Sequence, residues 1–130
     1  MGATGYFSHP DCYKHEMGAG HPECPERLSA IEDRLLITGL DMALTRREPA
    51  PAALADIELA HGRMHVAALR GLTDVLREDM AAGGPAHTPL DPDTLINAHT
   101  WDAALRSAGA AIQATDAVIE GELENAFCAI

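Results

Sequence analysis

The sequence predicts an α/β protein with a parallel sheet, and three observations carry the prediction. Short apolar runs at Gly5-Tyr6-Phe7-Ser8, Met42-Ala43-Leu44-Thr45 and Ala126-Phe127-Cys128-Ala129-Ile130 alternate with longer segments whose apolar residues recur at helical spacing. The segments between these runs are long enough for helical crossovers, as parallel pairing requires. The last run is apolar without interruption, the pattern of a strand covered on both faces.

Each element has its own warrant. Gly5–Ser8 is short, aromatic and stopped by His9-Pro10-Asp11, which reads as a buried strand entering a loop that extends to Cys24. From Pro25 a helix carries Leu28, Ile31, Leu35 and Leu36 and closes at Gly39, where a left-handed cap belongs. A strand over residues 42–45 follows, ended by Arg46-Arg47-Glu48-Pro49. Pro51 opens a short helical segment with Leu54 and Ile57. After His61-Gly62 a longer helix uses Met64, Leu69, Leu72, Val75, Leu76 and Met80, and Gly83-Gly84-Pro85 ends it. Residues 86–92 read as a loop, with Asp91-Pro92-Asp93-Thr94 as turn and cap chemistry. From about Asn97 the clearest helix begins. Trp101, Leu105, Ala108, Ile112, Thr115 and Ile119 make one stripe, small residues at Ala104, Gly109 and Ala111 allow close approach to a sheet, and Gly121 is the stop.

The 130 residues form one domain's worth of chain, read as a single domain over 1–130. Twenty acidic against nine basic residues give a net charge of −11. With no basic stripe to neutralise phosphates, this argues against a nucleic-acid or anionic-membrane partner. Three cysteines, an odd number, and no signal-peptide pattern predict a reduced, cytoplasmic protein, and no apolar run reaches membrane-spanning length.

The stretch with most chemistry is Gly18-Ala19-Gly20-His21-Pro22-Glu23-Cys24-Pro25-Glu26-Arg27. Pro22 and Pro25 restrict the backbone, so His21, Glu23 and Arg27 are aimed by the chain itself. The same pattern serves an ordinary helix start, with Glu26 complementing the dipole. His9-Pro10-Asp11-Cys12 echoes His21-Pro22-Glu23-Cys24, so His9, Cys12, His21 and Cys24 form a weak candidate for a small metal-binding module. His61 and His65 are a second, poorer pair, with no flanking carboxylate. Cys128 reads as inert core, and no nucleophile elbow or phosphate-cradling glycine loop is present. The residues alone describe an α/β domain without a self-sufficient active site.

The loop Gly20-His21-Pro22-Glu23-Cys24-Pro25-Glu26-Arg27-Leu28 resembles the His-Pro-Glu-x-Pro-x-Arg loop of histone deacetylase-like zinc amidohydrolases, the bacterial deacetylase and acetylpolyamine amidohydrolase group. His15-Glu16, Leu59-Ala60-His61, Asp93-Thr94, the Ala104-Leu105 to Ala108-Gly109 helix and Gly121-Glu122 to Phe127 follow in the family's order, with Glu16 in place of the usual Asp. The resemblance implies a partial arginase/deacetylase-like three-layer α/β/α fold, truncated after an apolar strand. In that family the strand leads into a paired-histidine segment, and zinc ligands and a tyrosine come later; none of these matches a position in this chain. The resemblance therefore implies no catalytic residue and no zinc bound here, although the full-length family uses zinc, and an isolated chain that is inactive.

Carried over by resemblance, Arg27 lines an inner cavity with Phe7 packed nearby, His21, Pro22 and Glu23 brace the loop, and Asp91 and Asp93 sit at a substrate rim that suits an acetylated lysine or polyamine. An unpaired edge at Ala126 to Ile130 predicts a homo-oligomer, or pairing with a complementary C-terminal chain. A stand-alone oligomeric interaction or assembly module is the competing reading.

Overall fold

The computed structural model describes residues 2–130. Three parallel strands, β1 (Thr4–Phe7), β2 (Leu44–Arg47) and β5 (Asn125–Cys128), form a sheet in the order β2-β1-β5. β1 is central, with Thr4 opposite both Leu44 and Asn125. Between them lie helices α1 (Glu26–Thr38), α2 (Leu54–Ile57), α3 (Arg63–Ala81) and α4 (Thr100–Ile119), and a separate antiparallel hairpin of β3 (His87–Asp91) and β4 (Thr94–Asn97). No helix among the described residues is long and apolar enough to cross a membrane.

Alternation along β1 makes three layers. Tyr6 faces α1 and packs with Cys12, Leu28 and Ala129, while Phe7 faces α4 and packs with Ala110, Ala114, Ala117 and Leu123. Both side chains are almost wholly buried. β1 is thus flanked by a strand on each side and a helix on each face, as right-handed crossovers leaving it in opposite directions require. α1 ends as its sequence demands: Gly39 adopts φ 75° and its N–H bonds the Leu36 carbonyl at 3.1 Å.

Four expectations need correction. β2 starts at Leu44, two residues late, because Leu40–Ala43 winds into a 3-10 turn behind Gly39. Residues 87–91 are strand, not loop, because they pair with 94–97; Pro89 is tolerated in a two-stranded ribbon, where one edge of each strand needs no ladder partner. The clearest helix consequently begins at Thr100, with Asn97 ending β4.

The third correction concerns which face of α4 is buried. Ala103, Ala110, Ala114 and Ala117 turn inward together with Trp101, whereas Thr115 is exposed and Ile119 is 78% exposed. The sheet takes the alanine face because small side chains allow the helix close to the strands. Leu105 and Ala108 instead line a shallow groove with Ile57 and Leu69 from α2 and α3. Gly109 seats the segment after β2: a Cβ there would meet the Ala50 carbonyl oxygen at 2.0 Å. Ala52 N–H donates to Leu105 O at 2.9 Å, and the Gln113 amide bonds Ala50 at both its N–H and its carbonyl. Fourth, β5 is not covered on both faces. Phe127 is 51% exposed and Ala126 is exposed, and the strand lies at the edge of the sheet with a neighbour on the β1 side only.

Candidate functional site

In a parallel sheet, ligands bind beyond the carboxyl ends of the strands where the order reverses, and that point here is the end of β1, between β2 and β5. A cleft of 430 Å³ opens there, walled by Cys12, His15, Glu23, Arg27, Thr100, Ser107 and Ile130 among others. A neighbouring depression of 390 Å³ shares Cys24 and Pro25 with it and is lined by Glu16, Gly18, Gly20 and His21.

The restricted loop does aim its polar groups. Arg27, in the first turn of α1, reaches toward the carboxyl end of β5: its Nη2 donates to Glu23 Oε1 at 2.5 Å and to Ile130 O at 3.4 Å. His21 Nδ1 accepts the Glu23 N–H at 3.0 Å, so the proton lies on Nε2, which donates to Asp93 O and Oδ1 at 3.2 and 3.3 Å. Pro22, between them, is exposed. Asp91 and Asp93 sit at the hairpin tip, both exposed. The Asp93 N–H donates to Asp91 Oδ1 at 2.8 Å and holds the Asp91 carboxyl below its ordinary value. Phe7 lies in the core under α4 rather than on the cleft wall. The site residues Arg27, His21, Glu23 and Asp93 are thereby linked through one chain of contacts, and Phe7 is apart from it.

Two side chains that the sequence does not single out, Thr100 and His87, meet the His15-Glu16 pair. His15 Nδ1 bonds Thr100 Oγ1 at 2.9 Å, and burial pushes its imidazole toward the neutral form against the pull of Glu23 and Glu16. His87 Nε2 meets Glu16 Oε1 at 2.5 Å, and the Gly18 N–H donates to Glu16 Oε2 at 2.7 Å; that backbone donor, then His87, hold Glu16 ionised. Cys12 is buried with its thiol pushed up by desolvation, so it is no ready nucleophile. The cleft therefore presents the Arg27 guanidinium, an imidazole biased toward its neutral form and two hydroxyls, which can orient a small polar ligand.

Zinc does not fit this donor set. A catalytic zinc takes about three protein ligands, and no group of three His, Cys, Asp or Glu is gathered among the described residues. The His9, Cys12, His21, Cys24 module is not assembled: His9 Nδ1 and His21 Nδ1 each accept a backbone N–H two residues on, and Cys12 Sγ lies 3.9 Å from Ser107 Oγ. His61 and His65 stand with ring centroids 6.1 Å apart and gather no third donor.

A parallel sheet clad by helices on both faces, with a polar cleft at its switch point, defines an α/β/α domain of the kind whose ligand sites lie at that point. Comparison with known proteins is specific. The histone deacetylase domain model matches residues 21–130. A probable deacetylase of Archaeoglobus fulgidus is 35% identical over 129 residues, covering 98% of this chain and 33% of its own. The histone deacetylase-like amidohydrolase of Pseudomonas aeruginosa is 34% identical over 84% of this chain and 26% of its own, and the human polyamine deacetylase HDAC10 is 27% identical over 98% and 19%. The crystal structure of the HDA15 HD domain superposes with a TM-score of 0.84 at 22% identity, over 99% of this chain and 35% of that one, which establishes the fold. The chain belongs to the histone deacetylase family. It spans about a third or less of the length of these relatives.

Proposed function

We propose that this chain forms the N-terminal wall of an amide-hydrolysing pocket of the deacetylase type, acting on an acetylated lysine or polyamine, and that alone it does not turn such substrates over. The placement of Arg27 carries the reading. Its guanidinium sits at the carboxyl ends of the strands, against the carbonyl of Ile130, in the cleft where this fold binds ligands. There it supports a role in holding the carboxylate product of amide hydrolysis, and Asp91 and Asp93 at the exposed rim suit a cationic substrate. The cleft's own donor set supplies no metal site, so water activation falls to residues other than these. The test is an acetyl-lysine and an acetylpolyamine reporter assay on the purified chain with added zinc. No turnover is expected. Turnover that survives exhaustive purification and is abolished by a chelator would refute the reading.

A second reading is favoured by the one-sided pairing of β5 and the exposed Phe127. An open strand edge recruits another strand, here a second copy in a homo-oligomer or a complementary C-terminal chain. Light scattering at micromolar concentration separates the two: a stable monomer counts against self-assembly.

A further inference from the structure

The β3–β4 hairpin belongs to neither face of the main sheet, and a two-stranded ribbon has little stability of its own. Something must hold it, and the contacts show what. The loop from Lys14 to His21 is stitched along it: Asn97 Nδ2 donates to Lys14 O at 2.8 Å, His87 bonds Glu16, Leu95 N–H meets Met17 Sδ at 3.4 Å, and His21 bonds Asp93. The stitching is uneven. At the base, next to buried Ile96 and Asn97, the His87–Glu16 contact is short, and Glu16 is fixed from its other oxygen by the Gly18 N–H. Beyond the register shift at Pro89–Asp91 the tip is solvent-exposed, and its side chains meet the loop only through His21 and an Asp93 side chain 96% exposed.

We propose that His87 and His21 are positioning residues that clasp the hairpin to the His-Pro-Glu loop: His87 with Glu16 anchors the base, His21 with Asp93 latches the tip. The hairpin's placement at the rim, and with it the position of Asp91 and Asp93, is then set by these two imidazoles together with the Asn97–Lys14 and Leu95–Met17 contacts, rather than by pairing with the main sheet. The inference concerns this chain's own conformation and does not depend on the reaction proposed above.

Hydrogen exchange of the 130-residue chain tests it with three variants. His87→Leu removes the base clasp, His87→Gln keeps a donor at the position of Nε2, and His21→Asn keeps an acceptor for the Glu23 N–H while losing the reach to Asp93. Losing a hydrogen bond to a charged group shifts a local opening equilibrium by about tenfold or more. His87→Leu is therefore expected to speed exchange about tenfold across residues 87–97 with α4 protection unchanged. His87→Gln restores most of that protection, and His21→Asn speeds exchange only at the tip, residues 91–95. Hairpin amides that are unprotected in the wild-type chain, or unchanged in His87→Leu, would overturn the proposal. So would equal loss of protection in α4 and hairpin that glutamine does not rescue.

Discussion

Replacing Gly109 with alanine probes how the segment after β2 is seated on α4. The added Cβ would stand 2.0 Å from the Ala50 carbonyl oxygen and 3.1 Å from the Ala52 nitrogen, both backbone atoms that no rotamer change can withdraw. Reaching ordinary van der Waals contact at 3.4 Å requires residues 50–52 to retreat by about 1.4 Å. That retreat breaks the Ala52–Leu105 hydrogen bond and both bonds from Gln113 to Ala50. At about 1 kcal/mol each, their loss is about 3 kcal/mol, offset by about 1 kcal/mol of helix propensity gained on removing a glycine. The net destabilisation is about 2 kcal/mol, or about 1 M in the urea midpoint for a domain of this size. Gly71, in α3 with nothing within 4 Å of its hypothetical Cβ, is the control. There the same substitution is expected to raise stability by about 1 kcal/mol. An unchanged or raised midpoint for Gly109→Ala beside a raised one for Gly71→Ala would refute the seating described here.

Asp11 accepts from Lys14 and Arg106, which outweigh its partial desolvation and hold its carboxyl below the ordinary 3.8. A depressed carboxyl contributes stability that is present above that value and lost as pH falls through the folded one. Asp11→Asn should therefore be less stable than wild type at pH 7, by no more than about 1 kcal/mol because solvent screens the pairs. The gap should close on acidification below pH 3.8 in a denaturation series, and a gap that is constant with pH would sink the assignment. The Tyr6 hydroxyl is buried with no partner in hydrogen-bonding geometry among the described residues, and burial first, then the neighbouring Glu32 carboxylate, raise its pKa. Tyr6→Phe is thus expected to be neutral or stabilising by about 1 kcal/mol in urea melts; a clear loss would reveal a bond to nearby Glu32. Elemental analysis after purification should find well under one zinc per chain, and stoichiometric zinc whose removal by chelator unfolds the protein would revive the His9, Cys12, His21, Cys24 module.

Local signals were legible where the local chain decides the outcome. Pro25-Glu26 and Gly39 bracket α1 because a restricted start and a left-handed stop act within a turn of the helix. The turn at Asp91–Thr94 was equally readable, since the Asp91 side chain captures the Asp93 N–H itself. What failed needed a partner from elsewhere. Residues 87–91 become a strand only through residues 94–97, which the sequence pattern assigns to the approach of α4. The buried face of α4 was misread because bulk is the usual mark of a core position, whereas the sheet's proximity selects the alanines. At the site, the aim of His21, Glu23 and Arg27 follows from the prolines around them. The roles of His15, His87 and Thr100 arise only when the loop, the hairpin and the start of α4 are folded together.

The central place of β1 governs the order in which this domain assembles. β1 waits in the middle of the sheet for β2, and then for β5, which follows it by more than a hundred residues. Loop closure of that length is entropically expensive and slow relative to helix formation. Until β5 arrives, Tyr6 and Phe7 sit on a half-built sheet with one side open to any passing chain. Nascent copies are accordingly most vulnerable to aggregation in that interval, and chaperone dependence should track mutations that weaken the β1–β5 pairing rather than those in α3.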